Sequence, residues 1–91
     1  MKDNKIYIFH AEGARFAGGV FSTLESAEAW IQTNELSGLL TAYPLDCGVY
    51  EWAIKSKYFT PINGSHRTSQ FIGGFTSASQ EHYHYENGKN A

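Results

Sequence analysis

Ser22-Thr23-Leu24-Glu25-Ser26-Ala27-Glu28-Ala29-Trp30-Ile31-Gln32-Thr33 is the stretch on which the fold turns. Ser22, followed three residues later by Glu25, reads as a capping box: the serine oxygen accepts from a free helix amide and the glutamate reaches back. Leu24, Ala27 and Ile31 recur at spacings of three and four, and Trp30 widens the stripe. Glu25 and Glu28 fall on the other face, near the positive end of the helix dipole. The spacing predicts a helix over about 23–33. Its apolar stripe must be covered, and the flanking segments supply strands to cover it.

Upstream, Ile6 and Ile8 alternate with Tyr7 and Phe9 between Lys5 and His10. That period predicts a strand with one aliphatic and one aromatic face. Ala11 to Gly19 is glycine-rich and aperiodic, hence a loop, and Val20-Phe21 is a short second strand paired with the first. Gly13, Gly18 and Gly19 lack the spacing of a phosphate cradle, and the helix that follows begins with acids. Downstream, Leu39 to Leu45 predicts a third strand with Leu39, Thr41 and Tyr43 on one face and Leu40 and Ala42 on the other, ended by Pro44. Asp46 is expected to cap a second helix carrying Val49, Trp52 and Ala53, with Cys47 a small buried residue at its start. Thr68 to Phe75 reads as one short helical turn, and Gln80 to Glu86 as a last strand. Asn87 to Ala91 is expected to fray.

The expected architecture is a small α+β domain: a three- to four-stranded, largely antiparallel sheet with two helices packed on one face. The 91 residues make a single domain over 1–91, with an ordered core at about 5–86 and a frayed tail at 87–91. At 42% hydrophobic and 18% charged residues the chain is neither a disordered tail nor a coiled coil. Its apolar runs are too short to span a bilayer, and Met1-Lys2-Asp3-Asn4-Lys5 leads into too few apolar residues for a secretory signal. The net charge of −2 offers no basic field for nucleic acid. A single cysteine excludes an internal disulfide and fits a reducing, cytoplasmic setting.

Gly19-Val20-Phe21-Ser22, Ala27-Glu28-Ala29-Trp30-Ile31, Leu36 to Asp46, Val49 to Ala53 and Phe75 to Glu86 together resemble a small bacterial domain family of unknown function. The resemblance covers nearly the whole chain. It implies a stand-alone intracellular protein and carries no catalytic residue with it. It also implies a setting among accessory genes, which include immunity proteins that neutralise a partner toxin.

No constellation forms a reaction centre. His82, His84 and Glu86 share one strand face, and two imidazoles with a carboxylate can bind zinc if His10, His66 or Cys47 supplies a further ligand. With no cysteine pair, the simpler reading is a solvent-facing strand whose tyrosines pack inward; no metal and no cofactor are assigned. Cys47 beside Asp46 is disfavoured as a thiolate. Tyr7, Phe9, Tyr83 and Tyr85 form no nucleic-acid platform without a basic rim. Trp30, Trp52, Phe21, Phe59 and Phe71 are assigned to the core.

The reading is therefore a non-catalytic protein-binding module, with Tyr43, Asp46, Tyr50, Glu51, His82, Tyr83, His84, Tyr85 and Glu86 as partner-binding candidates. The expected partner is another protein, of the toxin kind if this is an immunity protein, or a second copy meeting an edge strand. Neither nucleic acid nor membrane is expected as a partner. The alternative is a small-ligand or metal-binding domain using the His82, His84 and Glu86 face.

Overall fold

The structure, a computed structural model, describes residues 4–91. Met1, Lys2 and Asp3, read above against a secretory signal, lie outside the described residues. The chain forms two compact units, one of residues up to Leu45 with Gln80–Ala91, the other Asp46–Ser79.

The first unit is a five-stranded antiparallel sheet: β1 (Lys5–Ala11), β2 (Gly19–Phe21), β3 (Gly38–Pro44), β4 (His82–Glu86) and β5 (Lys89–Asn90), in the order β2-β1-β3-β4-β5. The fold class is α+β as expected, with one strand more than the highest expected count. The added strand is β5, because the tail does not fray. Asn87 (φ 52°) and Gly88 (φ 84°) take left-handed conformations that turn the chain back, pairing Glu86 with Lys89 and Tyr85 with Asn90. The turn then seats on the end of the helix: Gly88 N–H donates to the Leu36 carbonyl at 2.8 Å, and Asn87 N–H to Ser37 Oγ at 2.9 Å.

Helix α1 spans Leu24–Thr33. Its cap is Thr23, not Ser22: Thr23 Oγ1 accepts from Ser26 N–H at 3.1 Å. The expected capping box is thus displaced by one residue, because Thr23 adopts the extended cap backbone. Ala27 and Ile31 are fully buried against the sheet face that carries Tyr7, Phe9, Leu40, Ala42 and Tyr85. Phe21, Leu24, Trp30 and Tyr83 pack on this core half-buried. The aromatic face of β1 is therefore the core face. A Cβ on Gly38 would stand 2.8 Å from both the Ala11 Cα and the Phe9 ring, so β3 accepts only glycine where it crosses opposite Ala11.

The second unit contains α2 (Val49–Lys55), a 3-10 turn (Gly64–Arg67) and α3 (Ser69–Gly73). Of the two helices expected on one sheet face, α1 lies there and α2 belongs to this unit. Gly48 is the N-cap of α2 and makes no side-chain cap bond. Asp46 instead sits in the preceding turn with φ 60°, and Cys47 is exposed rather than buried, because the helix starts two residues beyond it. The unit is built on aromatic rings: Phe59 lies 4.9 Å from Phe75 and 5.8 Å from Phe71, and Tyr50 meets all three. The buried Tyr50 donates its hydroxyl proton to the His66 carbonyl at 2.9 Å. His66 Nδ1 accepts from Ile62 N–H at 3.1 Å, and its ring stacks on Phe71. Thr68 caps α3 through Phe71 N–H, and Trp52 packs on Tyr58.

Candidate functional site

The antiparallel register arranges side chains in rows across β1, β3 and β4. On the helix face the rows are Tyr7–Ala42–Glu81, Phe9–Leu40–Tyr83 and Ala11–Gly38–Tyr85. The small Ala42 lets groups from β1 and from the start of β4 meet over it. Glu81 Oε2 accepts from the Tyr7 hydroxyl at 3.3 Å and from the Tyr83 hydroxyl, while its Oε1 takes the Lys5 ammonium at 2.6 Å. One row pair further along, the Tyr85 hydroxyl donates to Glu28 Oε2 on α1 at 2.6 Å.

The electrostatics follow from those contacts. The Lys5 hydrogen bond, then that of Tyr83, holds the Glu81 carboxyl below its ordinary range. Glu81 in turn raises Lys5, and raises Tyr83 to about 12. Burial, followed by the Glu28 hydrogen bond, pushes the Tyr85 phenol well above its usual value. A carboxylate held charged by three donors is a poor base, and a phenol pushed up to about 12 is a poor acid near neutral pH. The network ties β1, β4 and α1 together; it has no group poised for proton transfer.

On the opposite face the rows are Val20–Ile8–Thr41–His82 and His10–Leu39–His84. His10, His82, His84 and Val20 are exposed; Ile6, Ile8, Leu39, Thr41 and Tyr43 are half-buried. The His82 and His84 rings meet edge to face at 5.5 Å, and His82 Nδ1 hydrogen-bonds the Gln80 carbonyl at 2.7 Å.

The partner-binding candidates divide accordingly. Tyr43, His82, His84 and Glu86 share the face away from α1, with both histidines and Glu86 exposed. Tyr83 and Tyr85 point the other way, into the helix face, where Tyr85 is buried and Tyr83 half-buried, so the phenols serve the fold. Asp46, Tyr50 and Glu51 lie in the second unit: Asp46 and Glu51 are exposed, while Tyr50 is buried among its phenylalanines. Among the described residues no group of three or more His, Cys, Asp or Glu side chains is disposed to hold a metal ion. The sequence reading missed the Glu81 and Glu28 contacts. Period-two alternation was the available signal, since it places Tyr7, Tyr83 and Tyr85 on one face; which carboxylates they reach is set by register.

A second feature went unread. Phe16 and Val20 are 77% and 61% exposed, the first in the β1–β2 loop and the second on β2, the terminal strand of the sheet. Among the described residues no strand pairs with the outer edge of β2, and neither a charge nor a proline guards its Gly19-Val20-Phe21.

The fold and this surface define a class: a small α+β domain with no catalytic indication and an unguarded sheet edge. The chain belongs to the family described as Domain of unknown function (DUF7710), whose profile matches residues 6–91. No curated protein and no solved structure matches it. Among the described residues no helix is long and apolar enough to cross a membrane.

Proposed function

We propose that this chain is a non-catalytic protein-binding module whose partner docks at the free edge of β2. The observation that carries the reading is the exposure of Phe16 and Val20 beside that edge. An open strand edge offers backbone donors and acceptors, and exposed apolar side chains next to it supply the area that anchors a docked segment. The titratable side chains of the helix face support the same reading, because they are consumed by one another rather than turned toward a substrate.

The finer reading is an immunity-type protein that neutralises a toxin. The net charge of −2 and the exposed Glu25, Glu35 and Glu51 favour a basic partner over an acidic one. The test is quantitative capture from the native host with wild-type protein and with Val20→Lys and Phe16→Ser. A stoichiometric protein partner retained by wild type and lost by both variants is the expected result. Capture that is unchanged in both variants would remove the edge from the proposal, and a wild type with no partner and no self-association by light scattering would remove the function.

A further inference from the structure

The face away from α1 is hollowed, at the end of the sheet where Ala11 stands opposite Gly38, into a groove of about 440 Å³. His10, Leu39 and His84 stand side by side across β1, β3 and β4, so Leu39 floors the groove between two imidazoles. Glu12 and Glu86 also line it, and Gly38 projects no side chain into it.

The charged side chains here are of one sign, Glu12 and Glu86. His10 Nε2–H donates to the Ala14 carbonyl at 2.7 Å, which leaves Nδ1 as an acceptor. Among the described residues the side chains of His84, Glu12 and Glu86 make no hydrogen bond and no ion pair. No lysine or arginine lines the groove. The complement of a groove with two carboxylates, imidazole acceptors and an apolar floor is a planar, donor-only cation. A guanidinium has that description: it donates from every nitrogen, accepts nowhere, stays charged, and stacks on flat rings. A metal ion is a poorer match. Among the described residues no group of three or more His, Cys, Asp or Glu side chains is disposed to hold one.

We propose that this groove is a guanidinium-binding subsite, with Glu12 and Glu86 as charge partners, His10 and His84 as its walls and Leu39 under the alkyl stem. It does not depend on docking at β2. A free arginine-like molecule and an arginine side chain of a peptide present the same group, and both are sources the test separates.

The test is an NMR titration that follows the histidine rings and the Gly38 and Leu39 amides. The probes are L-argininamide and the tripeptide amide Gly-Arg-Gly, with L-citrullinamide as the isostere whose side chain is uncharged. Saturating shifts at His10, Leu39 and His84 are expected with the two guanidinium probes. L-citrullinamide should bind about tenfold more weakly or worse, and Glu12→Gln with Glu86→Gln should weaken L-argininamide by a similar factor, the loss of two exposed ion pairs. Both glutamates are exposed, and the remaining amide shifts report whether the variant keeps its fold. Tighter binding of the tripeptide assigns the site to a protein side chain, and tighter binding of L-argininamide to a small molecule. Shifts that do not saturate, that L-citrullinamide reproduces equally, or that survive the double substitution would overturn the proposal.

Discussion

The Tyr85 hydroxyl donates to Glu28 Oε2 at 2.6 Å, across 57 residues of sequence, and so pins strand β4 to helix α1. Tyr85 is buried and Glu28 half-buried, so the bond is partly shielded from water. Tyr85→Phe keeps the ring and removes the donor. A hydrogen bond to a charged group contributes about 1.5–3 kcal/mol, and Glu28 can partly rehydrate, so the expected loss is about 1–2 kcal/mol. Urea unfolding measures it, and an unchanged midpoint would show that water replaces the phenol at no cost.

The Lys5–Glu81–Tyr83 group sets a pH profile. Glu81 is depressed below 4.5 in the folded state, so its contribution is present above that value and is lost as pH falls through the lower folded value. Tyr83 is raised from 10.0 to about 12, and Lys5 is raised above 10.5. Their contributions are complete below those ordinary values and disappear as pH rises through the folded ones. Stability is therefore expected to be flat through neutrality and to fall at both ends, in acid below about 4.5 and in alkali between about 10 and about 12. The network is partly solvated, which makes both falls shallow. Chemical denaturation across pH checks this, and Glu81→Gln should flatten both limbs, because the Glu81 carboxylate is also what raises Lys5 and Tyr83.

Gly88→Ala tests the terminal hairpin. Gly88 has φ 84°, and an added Cβ would lie 3.1 Å from Glu35 Cα and 3.2 Å from the Ile31 carbonyl. Backbone strain and a contact that only backbone movement can relieve should together cost about 1–3 kcal/mol. Hydrogen exchange should show the Ala91 amide, which donates to the His84 carbonyl, losing its protection first. A frayed tail would instead leave stability unmoved.

The helix cap separates two neighbouring hydroxyls. Thr23→Ala removes the acceptor for Ser26 N–H and should cost about 1 kcal/mol. Ser22→Ala should be nearly neutral. Equal costs would mean that the cap is shared between them in solution.

Much of the first unit was legible. Helix α1, the β1–β2 pair and the faces of β3 all follow from strong local periods that tertiary packing then reinforces. The start of α2 was less so: Asp46 has a good cap side chain, but the chain turns there with positive φ and enters the helix at Gly48. The Asn87-Gly88 pair is a hairpin signal, and it was hidden by the expectation that chain ends fray. Of the candidate site, the alternation of His82, His84 and Glu86 against Tyr83 and Tyr85 was readable, whereas their neighbours on other strands were not.

By itself the sequence determined which residues share a face, because the period of a strand or helix is a local property of the backbone. Tertiary structure alone decided which face became the core, and it chose the aromatic one: Tyr7, Phe9 and Tyr85 lie under α1 while Ile6 and Ile8 lie on the side away from it. The physical reason is that a buried phenol needs a partner for its hydroxyl. Only the register that sets Tyr7 beside Glu81, and Tyr85 beneath Glu28, provides one.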